Sequence, residues 1–485
     1  MWLRKSRLQV GRLRNQLYPP SGILAAGAGS AEWRYTLDAM RLLVTILLVA
    51  PTLAWTQPAD WSVGLATVDI TPAEPIPMSG YASRRGPFEA VDQRLHAKAM
   101  AIESREGGRA LLITADILGF TEERSASISR RLSESDGLAR GQILLNASHT
   151  HAGPLVAGSM MASVPESSRK AIERYIEQME DKIVAGAQKA LRDLRPARLA
   201  WGRGVATFVM NRREVTENGV ILGTNPSGPA DRTVPVLRVA GPDGRPRAVV
   251  FGAGSHCTTL TGRNMVISGD YAGYAQQFLE IRNPGVQAMF VTGCAGDANP
   301  YPRGTLDLAR RHGSQLAGAV QDVLGGELAS VSGPLRTEFR RVELPLVEHS
   351  REQIEEIQVG APSYRRFFTQ GALAKLDRGE SLLRSYSAPF ALWQFGSDLT
   401  LVAFSGETVV DYVRLTEAAL GPLKLWVSGY NNEVFGYLPT SRILREGGYE
   451  TRGLYVEYGL FRPGVEDVVM GAIEAMARSA GRLKD

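Results

Sequence analysis

From residue 60 onward, short β-branched apolar runs alternate with longer stretches of helical periodicity. Val63–Ile70, Ala97–Glu103, Ala110–Asp116, Gln142–Ser148, Val234–Val239, Ala248–Gly252, Gln287–Thr292, Phe390–Phe395 and Leu399–Phe404 are bounded by Gly, Pro or Asp and predict strands. Apolar residues three to four apart predict helices over Glu122–Glu134, Glu166–Leu194, Ala272–Ile281, Thr305–Leu324, Arg351–Glu356, Thr408–Leu420 and Glu466–Ser479. The mixture predicts an α/β (mixed α+β) fold with central β-sheets covered by helices. No repeat or Ser/Pro-rich linker interrupts the chain, so 55–485 reads as a single large domain. A weak seam is expected near Gly325–Arg336, and the charged helical stretch 350–385 is expected to form a lobe or lid.

Composition adds an exclusion. The 485 residues are 44% hydrophobic and 22% charged, ample for a core. The net charge of +5 lies in the first 54 residues, where seven basic residues face two acidic ones (7 − 2 = +5). The remainder is formally neutral and has no basic stripe with interleaved aromatics, so nucleic acid is not an expected partner. Met40–Ala54 carries one positive charge, an apolar run too short for a confident span, and small residues suited to cleavage. Residues 1–54 therefore read as a leader: a signal peptide from Met40, preceded by an over-extended start or a long n-region. The expected location is secreted or periplasmic, with an uncleaved N-terminal anchor as the alternative. Of the two cysteines, Cys257 and Cys294, the sequence allows either a disulfide or two buried free thiols.

Chemistry-bearing residues gather where strands end. Asn146–Pro154 contains His149 and His151, and in an extended chain residues i and i+2 face the same way. Gly252–Leu260 contains His256, and Phe404–Thr408 contains Glu407. Phe290–Pro300 ends in a tight turn with Asp297 and Asn299, and Gly429–Thr440 carries Tyr437. Asp270 reads as a helix N-cap. Strand ends and the loops after them commonly hold active sites. Two or three His with one carboxylate is the usual ligand set for catalytic zinc, whereas hard cations call for clustered carboxylates. Individually each residue has a structural reading: Glu407 as a first-turn carboxylate, Tyr437 as a packed aromatic. His96, His312 and His349 read as surface or structural residues.

In combination these segments resemble the neutral/alkaline (non-lysosomal) ceramidase family. Ser148–Pro154 stands in place of that family's Thr-His-Thr-His-Ser-Gly-Pro. Val63–Pro72, Met78–Ala82, Met210–Arg212, Ser268–Asp270, Gly273–Ala275 and Tyr449–Glu450 also match in order. The resemblance implies one zinc held by His149, His256, Glu407 and Tyr437. It also implies that His151 acts on substrate or water and that Arg212 is a polar group of the pocket. Two departures stand out. Asn299 occupies the position of the family's catalytic serine, and asparagine is not an acyl-accepting nucleophile. The family's C-terminal immunoglobulin-like domain has no counterpart in the residues after Glu450. The expected activity is zinc-dependent hydrolysis of an N-acyl amide by activated water, with Asn299 donating to the oxyanion. A ceramidase proper and a non-catalytic metal-stapled binding protein are the alternatives. The expected partner is a small-molecule or lipid N-acyl substrate, with peripheral membrane contact left open. The sequence does not reveal the oligomeric state.

Overall fold

Two β-sheets stack face to face, and helices cover both outer faces. The structure is a computed structural model and describes residues 59–156, 164–359, 363–455 and 459–484. The leader therefore lies outside the described residues. Thr56–Asp485 forms one compact unit.

The larger sheet has nine strands. Eight run in the spatial order Gln287–Thr292, Pro246–Ala253, Thr233–Ala240, Arg195–Val205, Trp61–Asp69, His96–Ser104, Arg109–Ala115, Ile143–Ala147; Ala329–Val331 joins Arg195–Val205 from the side. Its outermost pair at each end is parallel and the pairings between them are antiparallel. The smaller sheet is Leu335–Pro345, Ser385–Phe395, Leu399–Ala403, Leu425–Ser428. The expected seam at Gly325–Arg336 is where the chain leaves the first sheet and enters the second.

Period-two alternation builds the layers. In Pro246–Ala253, Val250 faces the second sheet, packing in one cluster with Met100, Trp393, Leu401 and Trp426. Its neighbours Val249 and Phe251 face the helices Asp270–Arg282 and Leu306–Gly325, meeting Leu279, Leu316 and Val320. In the smaller sheet Leu401 points inward, while Val402 points out to Val469, Ile473 and Met476 of the helix Val465–Ser479. The helix Glu166–Arg192 crosses Trp61–Asp69 closely enough that a Cβ on Gly64 would lie 1.9 Å from the Ala190 carbonyl oxygen. Only glycine fits there.

Several expected boundaries shift. The helix foreseen from Thr408 begins at Asp411, because Glu407–Thr408 instead pairs in parallel with Tyr437–Leu438. Asp270 is the first helical residue rather than the cap, which is Gly269. Its carboxylate accepts the backbone N–H groups of Leu260 and Tyr271. The 350–385 stretch holds two helices, Arg351–Gln358 and Ser363–Asp377, that pack on each other. Cys257 and Cys294 are free and buried. Among the described residues, no helix is long and apolar enough to cross a membrane.

Candidate active site

The two edge strands of the large sheet come together at the end where the histidine segments emerge. The Asn146 side chain ties them: its Oδ1 accepts from Thr292 N at 2.9 Å, and its Nδ2 donates to Gly429 O at 2.9 Å. Thr292 Oγ1 donates to Ala147 O at 2.7 Å. Beyond this tie, Thr150 bridges in parallel to Cys257, which brings the segment of His149 and His151 alongside that of His256.

His149 and His151 do converge, but not by strand alternation. The strand ends at Ala147, and His149 has φ 58°, a left-handed conformation uncommon for a non-glycine residue. That turn sets the Nε2 atoms of His149 and His151 3.1 Å apart. His149, His151 and His256 form a cluster whose ligating atoms lie within 4.8 Å of one another. Glu407 Oε2 lies 2.9 Å from His256 Nε2 and 3.6 Å from His149 Nε2. His149, His256 and Glu407 are buried, while His151 is half-buried.

The other ring nitrogens face carbonyl oxygens: His149 Nδ1 to Leu118 O at 2.5 Å, His151 Nδ1 to Gly80 O at 3.0 Å, His256 Nδ1 to Ala295 O at 2.6 Å. A carbonyl can only accept, so each Nδ1 carries the proton and each Nε2 presents a lone pair. Lone pairs of His149, His151 and His256 then point toward one another and toward a carboxylate oxygen, an arrangement that a cation satisfies. Pinning the tautomer through the second nitrogen is the usual support of a metal-ligating imidazole. The donor set of neutral nitrogens and one carboxylate suits zinc better than magnesium or calcium.

Electrostatics agree. Burial lowers the His256 imidazole to about 4, with Arg212 adding to the effect. Burial, then His149 and His256, hold His151 well below the usual imidazole range. Burial would raise the Glu407 carboxyl, yet positive charge at His149 and His256 beside it, the place a cation would take, holds it well below the usual carboxylate range.

Arg212 enters on the strand Val209–Thr216, which pairs with Ala298–Pro300, so Met210 faces Asn299. Its guanidinium donates to Glu450 Oε1 at 2.9 Å, to Tyr437 Oη at 2.8 Å and to Asn299 Oδ1 at 3.4 Å; Nη1 is 3.1 Å from His256 Nε2. Thr258 Oγ1 also donates to Asn299 Oδ1, at 3.0 Å. Tyr437 is the register partner of Glu407, which places both at one end of the cluster, though its hydroxyl is engaged by Arg212. All seven residues expected from the sequence thus lie in one connected network. His96, His312 and His349 stay outside it; His312 is buried, with Nε2 2.7 Å from Pro302 O.

Several contributors were not foreseen. Tyr455 donates its hydroxyl to Glu407 Oε1. Tyr430 packs its ring on His149, with centroids 4.5 Å apart. Glu450 bridges Arg212 and Arg213. Arg84 donates to His151 O and to Ser79 O. The aromatic richness of Tyr449–Tyr455 was the available signal for Tyr455; nothing local marks Arg84.

Comparison with known proteins agrees with this geometry. Residues 61–312 match the family model described as neutral/alkaline non-lysosomal ceramidase, N-terminal. Neutral ceramidase A of Dictyostelium discoideum is 26% identical over 267 residues, 51% of this chain and 37% of that protein. The neutral ceramidase of Pseudomonas aeruginosa is 26% identical over 321 residues, 62% of this chain and 48% of that one. The match thus spans less than half the length of either relative. The crystal structure of neutral ceramidase from Pseudomonas aeruginosa superposes with a TM-score of 0.68 at 21% identity, over 88% of this chain and 75% of that chain. That likeness establishes the fold, and the family model covers more than half of the sequence: the chain belongs to the neutral/alkaline non-lysosomal ceramidase family.

Proposed function

We propose that this protein is a zinc-dependent amidohydrolase that cleaves an N-acyl amide bond. The observation that carries the reading is the convergence of ligating nitrogens of His149, His151 and His256, with Glu407 Oε2 beside the Nε2 atoms of His149 and His256 and every Nδ1 fixed on a carbonyl. His149, His256 and Glu407 would hold the ion, and Tyr437 stands beside Glu407 as the fourth candidate. A bound zinc supplies Lewis acidity toward an acyl carbonyl and lowers the pKa of water toward neutrality.

His151 is the half-buried member of the cluster and is neutral near pH 7. Its Nε2 takes the proton released by attacking water and returns it to the departing amine. Asn299 Oδ1 is occupied by Thr258 and Arg212, so Nδ2 is the end left to donate to a developing oxyanion. Such a preorganised donor contributes about 3 kcal/mol. Arg212 fixes that amide and adds positive charge where the oxyanion forms. The reaction requires no serine, so Asn299 is compatible with turnover. Several relatives are named neutral ceramidases, which makes ceramide one N-acyl substrate to test. We also propose export, on the strength of the Met40–Ala54 segment.

Metal analysis joined to an N-acyl substrate screen tests the reading. Purified protein should carry zinc near stoichiometrically and hydrolyse at least one N-acyl amide. His149→Ala/His256→Ala should lose both zinc and turnover. His151→Ala should keep zinc and lose roughly 100-fold to 10,000-fold in kcat. Zinc content near zero, or full hydrolysis by the double variant, would overturn the assignment.

A further inference from the structure

We propose that a rim of arginines beside His151 selects an acyl amide bearing a carboxylate a few atoms from the scissile bond; this rests on the amidohydrolase reading. Three loops meet at the half-buried side of His151. Tyr81 lays its ring against His151, with centroids 5.0 Å apart, and donates its hydroxyl to Leu260 O at 2.8 Å. Arg84 donates to His151 O and, through Nη2, to Asn264 O at 3.1 Å. Gly304 N donates to Thr259 O at 2.7 Å, and Arg303 Nη2 donates to the Tyr81 hydroxyl at 2.7 Å.

These loops contribute Arg84, Arg85, Arg263 and Arg303, with no acidic residue among 79–85, 259–264 or 301–304. Among the described residues, no ion pair involves any of the four, although their surroundings do not lack hydrogen-bond acceptors. Arg84 is buried and spends its terminal nitrogens on backbone carbonyls. Arg85 and Arg263 are exposed, and Arg303 is half-buried with an Nε that is buried and unpartnered. Asp270, which feels the charge of Arg303, is fully buried and turned to Leu260 N and Tyr271 N. Beyond the first 54 residues the chain is formally neutral, so four arginines on these loops, in no ion pair among the described residues, are a local feature rather than general basicity.

A guanidinium fork matches a carboxylate bidentately, and a partly desolvated one gains most from such a partner. Arg303 reaches the site from one phenol ring away from His151, the placement required to hold a charged group attached close to a reacting amide. Arg84 positions the His151 loop and is not itself free to bind.

The experiment compares N-lauroylglycine with N-lauroylethylamine, which share an acyl chain and differ in the carboxylate, in neutral detergent and with the zinc-loaded enzyme. The expected result is a kcat/KM ratio at least 10-fold in favour of the glycine conjugate. Arg303→Gln should lower that ratio roughly 10-fold, to near one, mainly through KM, and Arg303→Lys should restore part of it. Isothermal calorimetry of N-lauroylglycine on both proteins reads the same preference without turnover. A ratio near one in the native protein, or an unchanged ratio and affinity in Arg303→Gln, would overturn the proposal. So would an Arg303 effect seen only on vesicles containing anionic phospholipid, which would assign the rim to membrane docking. If neither conjugate is hydrolysed while N-lauroylglycine binding still depends on Arg303, the amidohydrolase reading is what fails.

Discussion

Glu450 offers a test of how the site is held, because it touches none of the proposed metal ligands. Its carboxylate sits between two buried guanidiniums, 2.9 Å from Arg212 Nε and 2.6 Å from Arg213 Nη1, with all three side chains 6% exposed or less. Glu450→Gln keeps the shape and removes the charge. Gln can offer its oxygen to one arginine, leaving its NH2 against the other. Arg213 retains Glu446 at 3.0 Å and the Gly447 carbonyl, so Arg212 is the residue loosened. Breaking a buried pair costs about 3–5 kcal/mol, and the lower end applies because one hydrogen bond survives. Arg212 would lose the bond that aims Nη1 at Asn299 and Nη2 at Tyr437. A 2 kcal/mol loss of transition-state stabilisation corresponds to about 30-fold in kcat/KM. The assay is steady-state kinetics at matched zinc content, beside a denaturant titration. Glu446→Gln, at a carboxylate 38% exposed, is the control and should cost little. Native kcat/KM in Glu450→Gln with zinc retained would refute the argument that this carboxylate aims Arg212.

Two further outcomes follow from the geometry. Gly80 has φ 89°, and a Cβ there would lie 2.7 Å from the His151 ring, so Gly80→Ala should cut kcat at least 10-fold while leaving zinc content unchanged; native kcat would show that the ring has room to move. Burial raises the Asp297 carboxyl to about 6, above its unfolded value of 3.8, so its stabilising effect is full below pH 4 and is lost as pH rises through 6. Relative to Asp297→Asn, the native protein should therefore lose about 1.4 kcal/mol of stability between pH 5 and pH 8, and a pH-independent difference in denaturation midpoints would contradict this.

The parts of the fold visible in the sequence were those with a continuous apolar signal. Gln287–Thr292 matches its expected bounds because both faces are covered, one by the second sheet and one by helices. Arg195–Val205 and Leu335–Pro345 escaped notice because Arg and Glu occupy their half-exposed positions and dilute the apolar run. The hairpin of Val209–Thr216 and Gly219–Asn225, whose second strand is exposed or half-buried and whose first carries polar Asn211, Arg212 and Arg213 at buried positions, lacks that signal too, although it holds Arg212. Glu407 looked like the start of a helix because local periodicity cannot reveal a pairing with Tyr437, thirty residues on. His149, His151 and His256 were legible as strand-end motifs. Arg84 and Tyr455 were not, since each acts through a loop distant in sequence.

Backbone strain falls where the chemistry does. Among the described residues, five non-glycine positions have φ between 54° and 60°, and four of them, His149, Asp270, Tyr430 and Asn432, belong to the segments around the cluster. Each such residue costs on the order of 1 kcal/mol and persists only when its surroundings over-determine it. The determinants are specific. His149 is fixed by Leu118 O, and Asp270 by Leu260 N and Tyr271 N. Tyr430 N donates to Gly406 O, and Asn432 N donates to Leu145 O. These bonds link the strand end before His149, the turn before Glu407 and the Tyr430 loop into one frame. An enzyme that must hold three lone pairs and a carboxylate around a common centre needs such a frame before any ion arrives. Relaxing any one of these turns therefore disturbs the cluster as a whole rather than a single ligand.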